Sequence, residues 1–327
     1  MKNLVAGFSK QLKDAIEIGK KAKLTHSPKP IHQVLICGLG GSGIGGNAVS
    51  ELVAMEANTP INVCKGYFIP SYVNEHTLVI ISSYSGNTEE TLQCMEQAIK
   101  KKAKIVCITS GGKVEEIAIA QKFDIITVPG GMPPRSCMGY SMTQLLFVLQ
   151  FNGIIGNTAI PQLEAAIKLI DAEEENIRKE AKEVGAKLFG KMPVIYATTY
   201  FEGVAIRFRQ QLNENSKVLC WHQIIPEMNH NELVGWREKN ENLSVILFRD
   251  KQEYDRNNTR IEINKGVISK YTPHITEIWS KGNSMIEKAV YFIHLGDWIS
   301  IDLAERRGVD ASEINVINEL KSELSKL

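Results

Sequence analysis

Val34-Leu35-Ile36-Cys37-Gly38-Leu39-Gly40-Gly41-Ser42-Gly43 is an apolar run that breaks into glycines, and a helix-forming segment, Ile44 to Met55, follows. Leu78-Val79-Ile80-Ile81-Ser82-Ser83-Tyr84-Ser85-Gly86-Asn87-Thr88 repeats the plan and opens a second helical segment, Glu89 to Lys102. Short apolar runs bounded by turn residues predict strands buried on both faces. A strand-to-helix turn leaves backbone N–H groups unpaired and presents the positive end of the helix dipole. Glycines let that backbone approach a ligand, and hydroxyls add donors. One such loop is commonplace. Two, on neighbouring parallel strands, point to an anionic group held from both sides.

Outward from these loops, Ile61–Cys64, Ile105–Thr109 and Ile125–Val128 read as further strands separated by helical patterns. That alternation predicts a parallel sheet with helices on both faces. Gly130-Gly131-Met132-Pro133-Pro134-Arg135 then forms a stiff turn, and Ser141–Phe151 a helix. Ile160–Leu188, rich in Glu, Lys and Arg, reads as a solvated linking helix. The alternation restarts at Pro193–Thr198 with helix Val204–Asn213, and strands are expected at Val218–Trp221, Leu243–Phe248 and His274–Trp279. Helices Ser284–Arg306 and Glu313–Leu324 close the chain. The expected class is α/β, two parallel-sheet units in tandem. The expected boundaries are an N-terminal unit over 1–152, a linking helix over 153–190 and a C-terminal unit over 191–327. The polar stretch from Arg249 to Lys281 is expected to be a surface loop and helix.

The 327 residues carry a formal charge of +1, so no imbalance draws the chain to nucleic acid or an anionic membrane. No apolar run is long enough to span a bilayer, and Met1 to Lys23 reads as an amphipathic helix rather than a signal peptide. Six scattered cysteines (Cys37, Cys64, Cys94, Cys107, Cys137, Cys220) include no Cys-x-x-Cys. They are read as reduced, structural thiols, and the expected location is cytoplasmic.

Gly38-x-Gly40-x-x-Gly43 also satisfies the dinucleotide-binding fingerprint. That reading needs an acid at the end of the second strand, where Val63-Cys64-Lys65-Gly66 has none. A lysine there could serve a 2′-phosphate, but a dinucleotide does not require the second, serine-rich loop. No cofactor is expected.

Ser83-Tyr84-Ser85-Gly86-Asn87-Thr88-Glu89-Glu90-Thr91 resembles the sugar-binding loop of sugar isomerase (SIS) domains, which grip phosphosugars. The glycine loop from Gly38 to Gly46 and Gly131-Met132-Pro133-Pro134-Arg135 narrow the match. So do Asn213-Glu214-Asn215, Pro226-Glu227-Met228-Asn229-His230-Asn231-Glu232 and Ile317-Asn318-Glu319-Leu320-Lys321. Together they resemble the bifunctional phosphoglucose/phosphomannose isomerase family along nearly the whole chain. The resemblance implies two SIS-type, flavodoxin-like subdomains, aldose–ketose isomerisation through a cis-enediolate, metal-independent chemistry and a homodimer.

It also implies roles. Gly41, Ser42, Ser83, Ser85 and Thr88 would hold the phosphate; the bland alternative is that they only cap helices. Glu214 would be the base that takes and returns the proton. Alone, a glutamate in Asn-Glu-Asn is more often a solvated loop residue. His230, entering from the partner subunit, would open the sugar ring, since imidazole exchanges protons near neutrality. Arg135 would steady the enediolate with a permanent charge. Lys321 would contact the ring oxygen, although lysines in terminal helices are usually solvated. His222, Glu227, His230 and Glu232 invite a metal reading, but their spacing matches no recognised zinc pattern. A non-catalytic phosphosugar-sensing module would keep the serine loops but would not need Glu214, His230 and Arg135 together. An isomerase for another phosphosugar would share only the loops.

Overall fold

The computed structural model describes residues 1–326. Two short N-terminal helices, α1 (Lys2–Ala6) and α2 (Phe8–Lys21), precede the first sheet. That sheet is built from β1 (Gln33–Cys37), α3 (Gly40–Leu52), β2 (Ile61–Cys64), β3 (Thr77–Ser83), α4 (Glu89–Lys100), β4 (Lys104–Thr109), α5 (Gly112–Gln121) and β5 (Asp124–Thr127). Its order is β2-β1-β3-β4-β5, with every pairing parallel. Because β2 and β3 flank β1 on opposite sides, the strand order reverses at β1, and the loops leaving β1 and β3 face each other at that reversal. Open α/β sheets bind ligands at such a point, outside the carboxyl ends of the strands.

After α6 (Met138–Phe151) and α7 (Ala159–Leu188) the plan repeats with β6 (Met192–Thr198), α8 (Glu202–Glu214), β7 (Trp221–Ile225), β8 (Leu243–Arg249), α9 (Asp255–Ile268) and β9 (Ile275–Trp279). This second sheet, order β7-β6-β8-β9, is also wholly parallel. Helices α10 (Met285–Arg307) and α11 (Asn315–Leu324) complete the chain. Ser284 and Glu287 form a capping box that starts α10.

Strand side chains alternate between faces, so each sheet is covered twice. Val34, Ile36, Leu78 and Ile80 join Ile195, Ile246 and Phe248 of the second sheet in one shared core, filled by α2, α3, α6, α7, α8 and α10. Leu35, Cys37, Val79 and Ile81 face the other way, under α4 and α5. Val194, Tyr196, Val245 and Leu247 face α9.

Three expectations needed correction. Helix α7 is not merely a solvated link: Leu163, Ile167, Ile170, Ile177, Val184 and Leu188 form a buried stripe against α10, while its charges take the opposite face. The segment from Arg249 to Lys281 contains the expected helix, α9, and leads into the expected strand, β9, but it is not confined to the surface: it buries Arg249, Asp250, Ile261, Asn264 and Ile268. The strand expected at Val218–Trp221 instead starts at Trp221. Lys217 takes a left-handed conformation (φ 56°), and the Asn213 side-chain amide donates to the Val218 carbonyl, so the chain leaves α8 through a turn first.

Candidate active site

Ser42 lies in the first turn of α3, and its Oγ accepts a hydrogen bond from the backbone N–H of Tyr84 at 3.2 Å, which ties the two anion loops together. Ser83, the last residue of β3, donates from Oγ to Thr88 Oγ1 at 3.2 Å. Ser85 Oγ accepts from the Asn87 N–H at 3.3 Å. Two glycines make the close approach possible. A Cβ on Gly86 (φ 69°) would stand 1.7 Å from the Gly111 carbonyl oxygen, and one on Gly41 would stand 2.7 Å from the Pro134 oxygen. The second contact seats the Pro133-Pro134-Arg135 turn directly on the first loop. Gly41, Ser42, Ser83, Ser85, Thr88 and Arg135 therefore belong to one surface at the carboxyl ends of β1 and β3.

Arg135 is buried and almost fully committed. Its Nε donates to Asn215 Oδ1 at 2.9 Å, and Nη2 donates to the carbonyls of Ala311 (2.7 Å) and Ser312 (3.1 Å). Nη1 stands 3.5 Å from Glu214 Oε2. Glu214 is the last residue of α8 rather than part of a loop, and its side chain keeps 31% of its exposure, beside a fixed positive charge. Burial lowers the Arg135 pKa while the Glu214 carboxylate opposes that shift; a guanidinium stays charged throughout. Only Nη1 is left to act on anything held next to Glu214.

The support behind this pair escaped the sequence reading. Asn215 is fully buried; its amide donates to Ser300 Oγ at 3.0 Å, and Ser300 Oγ donates to the Asp297 carbonyl at 2.7 Å. One turn or more back along α8, Arg207 donates to Asp297 Oδ2 at 2.9 Å and Gln211 to Asp297 Oδ1 at 2.8 Å. Asp297 thus pins α8 to α10 from two positions, which fixes the end of α8 where Glu214 sits. Lys217 donates to the carbonyls of Glu214 (2.5 Å) and Glu313 (2.8 Å). Burial lowers the Lys217 pKa, and nearby carboxylates counter that. Arg135 and Lys217 together clamp residues 311–313 at the edge of the cleft. The only signals for this in the sequence were the buried-type Asn next to Glu214 and a lysine at a turn.

Among the described residues, no hydrogen bond or ion pair joins the side chain of His230 or Lys321 to this surface. His230 ends a 3-10 turn (Glu227–His230) after β7, the edge strand of the second sheet, and is exposed. Lys321 lies on α11, also exposed. Neither makes a side-chain hydrogen bond or ion pair among the described residues. The four residues of the metal reading point different ways. Glu232 Oε1 accepts from Tyr196 (2.5 Å) and Trp221 (3.1 Å), Glu227 accepts from Asn231 (2.7 Å), and His222 faces Glu202 at 3.9 Å. Burial, with Arg209 and Lys65 nearby, pushes the His222 pKa down to about 4.

Residues 177–324 match the bacterial phospho-glucose isomerase C-terminal SIS domain. The chain is 36% identical to the bifunctional phosphoglucose/phosphomannose isomerase of Caldicellulosiruptor bescii over 99% of this chain and 98% of that one. It is 35% identical to the protein of the same name from Aquifex aeolicus, over 91% and 92%. Among solved structures it superposes on the C-terminal domain of glucosamine-fructose-6-phosphate aminotransferase from Francisella tularensis, with a TM-score of 0.72 and 14% identity over 96% of both chains, a likeness of fold. The tandem parallel sheets, the two serine-bearing loops and these full-length similarities agree: the chain belongs to the bifunctional phosphoglucose/phosphomannose isomerase family.

Proposed function

We propose that this chain is an aldose–ketose isomerase that interconverts glucose 6-phosphate and mannose 6-phosphate with fructose 6-phosphate. The observation that carries the proposal is the placement of Glu214 beside Arg135 Nη1, on a turn packed against Gly41 of the anion loop. A phosphate held by Gly41, Ser42, Ser83, Ser85 and Thr88 leaves the sugar's C1–C2 end to reach toward that pair. Neutral donors and loop amides bind a phosphate firmly while allowing release.

In this reading Glu214 removes the proton from C2 of the open-chain aldose. The C–H electron pair becomes the C1–C2 double bond, and the carbonyl oxygen takes up negative charge beside Arg135 Nη1. Protonation at C1 by the same carboxyl group, with proton transfer from O2 to O1, gives the ketose. No atom is gained or lost. The enediolate is planar at C2, so return of the proton to either face yields the glucose or the mannose epimer.

Ring opening falls to His230, with Lys321 at the ring oxygen, and this requires a second subunit. Two features support a homodimer: His230 is exposed without a side-chain partner among the described residues, and α11 leaves Val316, Leu320 and Leu324 exposed along one face. Purified protein given fructose 6-phosphate with a chelator present tests the proposal. Formation of both glucose 6-phosphate and mannose 6-phosphate is expected. Binding of fructose 6-phosphate without either product would instead favour a sensing module.

A further inference from the structure

Three thiols that the isomerase chemistry does not use meet beneath the anion loops. Cys37 and Cys64 end β1 and β2, and they pair in register, so both project from the same face of the sheet. Cys94 descends onto that face from α4. Cys64 Sγ and Cys94 Sγ are 3.8 Å apart, and the three sulfurs all lie within 4.8 Å of one another. Two sulfurs bound to a tetrahedral zinc ion at about 2.3 Å would stand about 3.8 Å apart.

The groups around the sulfurs are acceptors. The Gly66 carbonyl oxygen lies 3.2 Å from Cys94 Sγ and 3.9 Å from Cys64 Sγ, and the Phe68 carbonyl lies 3.3 Å from Cys64 Sγ. Cys107, in the same layer, shows what a packing thiol looks like here: it is buried among apolar side chains and belongs to no such cluster. Packing alone does not require three thiols to converge, two of them, Cys64 and Cys94, beside backbone carbonyls.

We propose that Cys37, Cys64 and Cys94 form a binding site for a soft divalent cation of the zinc class, with three thiolate ligands and a fourth position taken by water or the Gly66 carbonyl. Cys64, half-buried on the edge strand, provides the way in. Cys37 immediately precedes the first anion loop, and Cys94 lies in the helix that the second loop opens. A bound ion would therefore join the strand behind one loop to the helix in front of the other. It would stiffen the floor of the phosphate site and contribute no step to proton transfer.

Cadmium serves as the probe, because its thiolate complexes absorb in the ultraviolet. Chelator-stripped full-length protein should bind one cadmium ion per chain, saturably, with release of protons from the thiols. C64S and C94A should each weaken binding at least tenfold, whereas C220S should not change it. C64S substitutes oxygen for sulfur at a half-exposed edge, and retained isomerase turnover with chelator would show that the variant is folded. Three outcomes would overturn the proposal: no saturable absorbance, absorbance that survives both C64S and C94A, or a Cys64–Cys94 disulfide in protein prepared without added oxidant.

Discussion

Arg135 Nε donates to Asn215 Oδ1 across 2.9 Å, so the residue next to the candidate base holds the candidate electrostatic group. Asn215 is itself fixed by Ser300 of α10. The distance from Arg135 Nη1 to Glu214 is consequently set by the junction of α8 and α10 rather than by loop flexibility. Preorganisation of this kind is what makes a charge effective in a transition state.

Arg135→Lys should separate charge from geometry. An ammonium keeps the charge but cannot serve Asn215, two backbone carbonyls and Glu214 from one planar fork. The expected result is a fall in kcat of about 100-fold with little change in KM, as for loss of an oxyanion donor. Steady-state kinetics on fructose 6-phosphate checks it, and an unchanged kcat would remove Arg135 from the chemistry.

Asp297 sits where two donors from α8 converge in the core. Asp297→Ala would leave the Arg207 guanidinium buried without its partner, a loss that typically costs about 3–5 kcal/mol. Denaturant unfolding should show a loss in that range, far above the effect of removing an exposed pair such as Lys2–Glu305, worth about 0–1 kcal/mol.

Glu51, in α3, gives stability a pH dependence. Burial raises its pKa from 4.5 to about 7, only partly offset by the hydrogen bond that its carboxylate accepts from the Gly203 N–H. Below pH 4.5 the group is protonated in both folded and unfolded chains and contributes no difference. Between that value and about 7 the unfolded chain ionises first, so stability falls as pH rises, by roughly 3 kcal/mol at most. Glu51→Gln keeps an acceptor for Gly203 and removes the ionisation. Urea unfolding should find the variant more stable than wild type at pH 8 and little different near pH 4.

If His230 serves the neighbouring subunit's site, two inactive variants should complement each other. Mixing Glu214→Gln with His230→Gln under subunit exchange creates heterodimers with one intact site. Activity should then return to roughly a quarter of wild type, since half the dimers are mixed and half their sites are whole. No recovery, with exchange confirmed by mass, would place His230 in its own chain's site or outside the chemistry.

The first sheet was legible because its strands are continuous apolar runs ended by glycine and serine, signals that need no tertiary context. The positions of Ser42, Ser83 and Thr88 at the two strand-to-helix junctions were legible for the same reason. The second unit was harder to read. The start of β7 depended on the left-handed Lys217 and on the Asn213 hydrogen bond to the Val218 carbonyl, and both are visible only once the turn exists. The charges of α7 concealed a buried stripe, since a helix that wraps a core shows both patterns at once. Asn215, Lys217 and Asp297 hold partners more than 80 residues away in the chain, so the neighbouring sequence hinted at their positions but not at what they join. The same is true of Cys37, Cys64 and Cys94, which were read as scattered core thiols until the sheet register brought them together.

Exchange of substrate hydrogen with solvent tests the central claim, that Glu214 moves the proton. In D2O the wild-type protein should introduce deuterium at C2 of glucose 6-phosphate while it forms from fructose 6-phosphate. Glu214→Gln should neither isomerise nor exchange, and it should still bind fructose 6-phosphate with near wild-type affinity, because the phosphate loops are untouched. Deuterium incorporation by Glu214→Gln at the wild-type rate would contradict the account.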